Sequence, residues 1–399
     1  MSELIDNKDN RAAIRWQLLT GVSALVLTAA VASGAALAAD DTDRPTAWIE
    51  LGGELQQMQG LSSPVVAPFM TITPTPAPYA GDPLIGAQHA PRLGMALDGK
   101  ISFQPHASDW IFSAGIQYGR SQSKKHIHHQ TANQPAYFTF YFAYYHSNYQ
   151  LKATFPSQPH VDSRTLFRES HMVVDFQAGR DVGLGLFGRN GTSTISGGVR
   201  FAQFNNRSSV NIQARPTVDA DAVYTTLFSG YISFPQLFAN FHQYGLQANA
   251  TRNFSGVGPS LSWNASAALI GNAEDGELTM DWGIDGALLF GRQKAKVAHA
   301  TQIHHHYYTA SGGGGFNAFH SHYELVGSNS NAVSRSRMVT IPNLGGFAGF
   351  SVKYPNAKFS FGYRADFFFG AMDTGIDVRH TKDVGFTGPF ATISVGLGG

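Results

Sequence analysis

Residues 357–373, AKFSFGYRADFFFGAMD, divide by alternate position into two sets. Phe359, Phe361, Tyr363, Ala365 and Phe367 form one set; Lys358, Ser360, Gly362, Arg364 and Asp366 form the other. A period of two places the sets on opposite faces of a β-strand. The same alternation runs through RLGMALDGKISF (92–103), GVGPSLSWNASAALI (256–270), ELTMDWGIDGALLFG (277–291) and PFATISVGL (389–397). Several of the faces opposite the apolar ones are charged, with Asp98 beside Lys100, Asp281 beside Asp285, and Arg364 beside Asp366. A soluble sandwich turns its apolar face toward a packed core and its polar face toward water. Repeated charge opposite clean aromatic faces instead predicts an all-β, transmembrane antiparallel up-and-down barrel, with lipid outside and a polar lumen inside.

The pattern predicts ten strands near 46–58, 91–104, 110–122, 168–181, 191–209, 238–269, 276–291, 335–352, 357–372 and 383–397, within a range of 8 to 14. The span 238–269 is too long for one crossing and is read as one strand continuing above the bilayer, since splitting it leaves an odd count. Short turns at 105–109, 271–276 and 354–357 suit the periplasmic end. The longer stretches 59–90, 123–167, 210–237, 292–334 and 373–382 are read as extracellular loops. The first is Pro-rich, and the fourth contains the flexible run TASGGGGFN.

Composition narrows the class. Charged residues make up only 14% of the chain and there is no Cys, so neither disulfides nor an abundance of surface charge stabilises the fold. Beyond residue 40 no segment approaches the ~20 apolar residues that a membrane helix needs. The N-terminus carries Arg11 and Arg15, then LLTGVSALVLTAAVASGAALA, closing on Ala36-Leu37-Ala38. This is a signal-peptide pattern, which predicts a leader over 1–38, a barrel over 39–399 and export to the outer membrane of a Gram-negative bacterium. A formal net charge of +1 gives no reason to expect nucleic acid as a partner.

The face assignment turns Glu50, Glu54, Asp98, Lys100, Asp175, Arg200, Asp281, Asp285, Lys353, Arg364 and Asp366 into the lumen. Such a set either pairs across a narrow barrel and plugs it, or lines a hydrated passage for small hydrophilic solutes or ions. Seven acids against four bases predict weak cation preference. Asp281 and Asp285 are the least compensated pair on this reading, and Arg364 offsets Asp366. Histidines His126, His128, His129, His304, His305, His306, His320 and His322 fall in the predicted outer loops and are candidate metal ligands by residue type, although no helical pair or neighbouring Cys constrains them. A hydrolytic arrangement of His171, Asp175 and His242 is the enzymatic alternative. Four strand residues span about 13 Å, so His171 and Asp175 are not direct partners. No phosphate loop, nucleophile elbow or zinc-protease motif is present. Neither enzymatic activity nor a cofactor is expected.

The stretches FQAGRDVGLGLFGRNGTSTISGGVRFAQF (176–204), GVGPSLSWNASAALIG, GALLFGRQ and GFTGPFATISVGLG, with RPTAWIELGGELQQMQG (44–60) near the start, resemble the Legionella-type major outer-membrane protein family. The resemblance implies a pore-forming outer-membrane barrel and supplies no substrate. It also implies the barrel-assembly machinery as a partner during biogenesis. The chain ends SVGLGG, so the nearest aromatic to its terminus is Phe390. The alternative function is a closed structural barrel whose extracellular loops bind a ligand, metal or surface partner.

Overall fold

A computed structural model describes residues 47–60, 93–106, 108–130, 136–140, 149–153, 160–182, 192–215, 219–227, 232–272, 275–311 and 318–397. The expected leader and the Pro-rich connection lie outside them. The strands are β1 (Ala47–Gln59), β2 (Leu93–Phe103), β3 (Trp110–Gln130), β4 (Ala136–Phe140), β5 (Tyr149–Ala153), β6 (His160–Asp181), β7 (Thr192–Arg215), β8 (Asp219–Leu227), β9 (Ile232–Asn272), β10 (Gly276–Ser311), β11 (Ala318–Lys353), β12 (Ala357–Asp373) and β13 (Thr381–Leu397).

Ten of them close a ring: β1, β2, β3, β6, β7, β9, β10, β11, β12 and β13, with β13 pairing back onto β1 and β9 onto β10. Every pairing is antiparallel. The first residue of β1, Ala47, is opposite Leu397 at the end of β13, so both ends of the ring open at one rim, called here the terminal rim. The β2–β3, β9–β10 and β11–β12 turns also lie at that rim. Next to the terminal rim closure leaves no unpaired strand edge, which is how a sheet satisfies its backbone without water; above it, among the described residues, β11 over 318–342 and β3 over 121–130 are paired on one side only.

The alternation seen in sequence sets the two faces. Leu51, Leu93, Met95, Leu97, Phe112, Phe176, Leu261, Ile284, Phe290, Leu344, Phe359 and Phe361 are all exposed on the outside. Such a continuous exposed apolar band is unusual for a protein in water, and it encircles the half of the barrel next to the terminal rim.

The wall is uneven in height. β9 has 41 residues and β10 and β11 have 36 each, whereas β12 and β13 have 17. A membrane strand needs only about 9–11 residues. The regions 123–167, 210–237 and 292–334, expected as loops, are therefore largely ladder. β10 and β11 remain paired up to Ser311↔Ala318, β3 and β6 up to Gln130↔His160, and β8 continues the pairing of β7 along β9. The alternation persists there in a different alphabet. Val297, His299, Thr301 and Ile303 face inward and are buried, while small and polar residues face out, so a search for an apolar outer face passes over it. β4 and β5 pair antiparallel as a separate two-stranded sheet.

Candidate functional site

The interior has three storeys. The lowest, next to the terminal rim, is a polar cavity of about 410 Å³ bordered by Glu50, Asp98, Lys100, Asp175, Arg200, Asp281, Asp285, Arg364 and Asp366. Glu54 is also inward, buried and hydrogen-bonded by Gln117 at 3.0 Å. Lys353 lies outside the cavity lining, exposed at the rim. Lys358, inward in the sequence pattern but left out of the lumen set, does line it.

The charges are organised by pairing. Arg200, with 7% of its side chain exposed, grips Asp175 through Nε (2.7 Å) and Nη2 (3.1 Å), and reaches Asp285 through Nη1 (2.5 Å). The same Nη1 donates to Asn343 Oδ1. Lys358 Nζ lies 2.6 Å from Asp281 Oδ2, and Ser266 donates to Asp281 Oδ1 at 2.6 Å. Asp281 and Asp285 are therefore each compensated by a cation on another strand, contrary to the expectation that they are the least compensated pair. Arg364 Nη1 meets Asp98 at 3.4 Å, with its guanidinium 5.9 and 5.5 Å from the rings of Phe347 and Phe390. Strand-face parity identifies which charges share an interior, but partners across a ring depend on its closure and stagger. Gly345 belongs to this layer because of close approach: a Cβ there would strike the carboxylates of Asp285 and Asp366.

The middle storey is largely apolar. Met58, Val173, Ala202, Phe204, Phe254, Leu289, Ile341, Phe368, Ala371, Met372, Val384 and Phe386 project inward and form one buried cluster. Phe204 packs on Phe368 (4.6 Å between centroids), Phe254 (5.7 Å) and Phe386 (5.7 Å), and His171 lies 3.8 Å from Phe386. This septum crosses the barrel above the polar cavity. A sequence signal for it existed in Phe368, which breaks the otherwise polar set of residues 358–366.

The upper storey is a stopper. At Gly370, φ is +71°, a conformation natural to glycine, and the β12–β13 register shifts between Phe368 and Met372. The short connection 374–380 leans inward beneath the taller wall, whereas the sequence reading made it an outer loop. Arg335 clamps it, bonding Asp373 (2.8 and 3.4 Å) and the carbonyls of Gly375 (2.8 Å), Ile376 (2.7 Å) and Asp377 (3.1 Å). Arg252 donates to Thr374 O at 3.0 Å, and burial lowers its pKa to about 10. His299 and Asn331 hold Asp377 at 3.0 and 2.7 Å, and the hydrogen bond from His299 keeps that carboxyl below its ordinary pKa. Ile376 packs against a buried apolar patch inside the tall wall that includes Val210, Ile212, Leu246 and Val297.

The histidines fall on strands rather than loop tips. His305 stacks on His242 at 4.4 Å, His304 on Tyr323 at 4.7 Å, His306 on Phe241 at 4.7 Å, and His322 on Tyr307 at 4.9 Å. His126 bonds Asp162 at 2.6 Å and His128 faces the ring of His160 at 6.5 Å. His129 pairs with Val161 and His320 with Thr309 in their ladders. Among the described residues no group of three potential ligands converges on a metal-sized point. His171, Asp175 and His242 do not meet either: His171 is in the septum, Asp175 is held by Arg200, and His242 is in the rim stack.

No family model matches the chain, and no curated protein does. Solved structures similar to it include the transport unit of the autotransporter AIDA-I from Escherichia coli (9% identity, 93% of this chain and 97% of that one, TM-score 0.21). Others are the β domain of the Bordetella autotransporter BrkA (9%, 88% and 99%, 0.16) and the P. putida toluene transporter TodX (8%, 90% and 91%, 0.18). At these scores the likenesses carry no argument; the barrel rests on its own ladders.

Proposed function

We propose that the chain is an outer-membrane channel of the porin type, held shut at rest, and that it belongs with the Legionella-type major outer-membrane proteins whose motifs it resembles. The exposed apolar band supports the membrane placement, with the terminal rim in the periplasm and the tall wall outside the cell. The polar cavity is a periplasmic vestibule for small hydrophilic solutes or ions. It is lined by six acids, Glu50, Asp98, Asp175, Asp281, Asp285 and Asp366, and four bases, Lys100, Arg200, Lys358 and Arg364, with Glu54 inward and buried as a seventh acid. In a low-dielectric passage this balance favours cations.

One observation carries the gated form of the reading: the septum and the stopper share a support. Phe368, Ala371, Met372, Val384 and Phe386 of the septum flank the clamped connection 374–380 on β12 and β13. Withdrawing that hairpin tip removes the stopper and thins the septum in one movement, and apolar constrictions close passages by excluding water. A freely open pore does not fit this interior.

The second reading, a permanently closed barrel that acts through its outer rim, is favoured by the completeness of the septum. Planar-bilayer recording separates the two. Rare cation-preferring openings that become frequent when the clamp is weakened support the channel; silence in both cases supports the closed barrel.

A further inference from the structure

On β6, β7, β9 and β10, the outward apolar band ends along one continuous line of the sheet. Val174, Phe201, Val257 and Phe290 are neighbours in register, and beyond them the outward residues of β7, β9 and β10 turn polar, followed one step later by β6, whose outward Met172 gives way to Ser170 and Arg168. β10 continues with Arg292, Lys294 and Lys296, all exposed. In register with Lys294 are Asn253 and Asn205; in register with Lys296 are Thr251, Arg207 and Arg168.

Arg168 and Arg207 are directly opposite one another, an arrangement that repels unless an anion lies between or near the pair. Among the described residues none of Arg168, Arg207, Arg292, Lys294 and Lys296 forms an ion pair with a carboxylate. The outward positions from Ser170 on β6 across to Ser334 on β11 contain no acid; the nearest outward carboxylate, Asp162, already serves His126. A recess of about 310 Å³ opens within the patch, lined by Gln203, Asn205, Asn253, Ser255, Arg292 and Lys294 with Phe254 of the septum behind them. It combines cationic ends with amide and hydroxyl groups, as phosphate oxygens require.

We infer that this surface is a binding site for the phosphorylated headgroup of an outer-leaflet glycolipid. Position decides the occupant: the cations begin where the lipid-facing band stops, so a molecule whose acyl chains lie against Phe201, Val257 and Phe290 presents its headgroup phosphate to Arg292 and Lys294. Arg168 and Arg207 extend the same field to a second phosphate or a neighbouring molecule. The inference rests on the outer-membrane reading but not on channel activity.

The test uses the full barrel folded into phosphatidylcholine vesicles doped with diphosphoryl lipid A or with its dephosphorylated form, and measures the lipid retained after extraction into neutral detergent. Retention is expected for the phosphorylated lipid alone. Each cation near an anionic surface contributes roughly fivefold in affinity, so R292Q/K294Q/K296Q is expected to weaken retention roughly 100-fold while the unheated barrel keeps its gel mobility. Should that variant fail to fold, R168Q/R207Q, on different strands, is expected to weaken retention about 25-fold. Equal retention of both lipids, or full retention by a folded variant, overturns the proposal. Competition by millimolar inorganic phosphate also overturns it, assigning the recess to free anions. A barrel that never enters the vesicles instead refutes the membrane reading beneath it.

Discussion

Replacing Arg335 by Gln is the most informative single perturbation of the gate. Arg335 donates to both oxygens of Asp373 and to three successive backbone carbonyls of the stopper, over 2.7 to 3.4 Å. Glutamine cannot span this set, and Asp373, only 4% exposed, is left buried without its cation. Breaking a buried pair from one side costs about 3–5 kcal/mol. The Arg335 side chain retains 20% exposure, so the lower end, about 3 kcal/mol, is appropriate. These hydrogen bonds hold the docked stopper and take no part in the ring ladders, so the cost of removing them falls on the closed state. It multiplies the ratio of open to closed barrels by roughly 100. The assay is single-channel recording in planar bilayers, with unheated gel mobility and circular dichroism confirming that the ring is intact. An intact R335Q barrel that opens no more often than the wild type refutes a role for this clamp in holding the passage closed.

Arg200→Met leaves Asp175 and Asp285 facing each other without their shared cation and is expected to lower stability by about 3–5 kcal/mol in urea unfolding from vesicles; a loss under about 1 kcal/mol contradicts the pairing seen in the vestibule. Phe361→Arg, on a side chain 57% exposed to the outside, is expected to cost about 2–4 kcal/mol at mid-bilayer, and unchanged stability in lipid rejects the outer-face assignment. Because Asp377 is held below its ordinary pKa of 3.8 by His299, the stopper's docking from this contact is fully present above that value. It is lost only as pH falls from there through the depressed pKa, so the difference in open probability between the native barrel and Asp377→Asn is expected to hold from pH 7 down and to vanish only below about pH 4; no difference between the two at pH 7 contradicts the assignment. An epitope inserted between Ser311 and Ala318, beside Gly313, which lies outside the described residues, is expected to be labelled on intact cells; labelling only after permeabilisation reverses the orientation.

The barrel was legible in the sequence because lipid imposes a strict rule on one face. Every crossing strand must keep its outer positions apolar, and residues such as Phe359, Phe361, Ile284 and Leu261 report that rule locally. Strand number followed from it, and the long continuation of β9 from the even count that a closed antiparallel ring requires. Three features did not. Above the apolar band nothing demands an apolar outside, so KAKVAHATQIHHHYYT reads as loop although it forms ladder from end to end. The septum requires knowing which inward residues from distant strands share a level. Phe204, Phe254, Phe368 and Phe386 lie on four strands and meet only after closure. Charge pairing fails for the same reason: Asp281 finds Lys358 and Asp285 finds Arg200, neither on its own strand.

A vestibule open at the terminal rim and sealed from the far side is the centre of the proposed mechanism. The native chain has no Cys, so a single thiol placed by Ser113→Cys, on the cavity lining, reports access without background. In barrels oriented in sealed vesicles, a small charged thiol reagent is predicted to modify this cysteine rapidly from the terminal side and negligibly from the far side, with far-side modification appearing when Arg335→Gln is added. Equal modification of the otherwise native barrel from both sides would contradict the seal and make the passage an open pore.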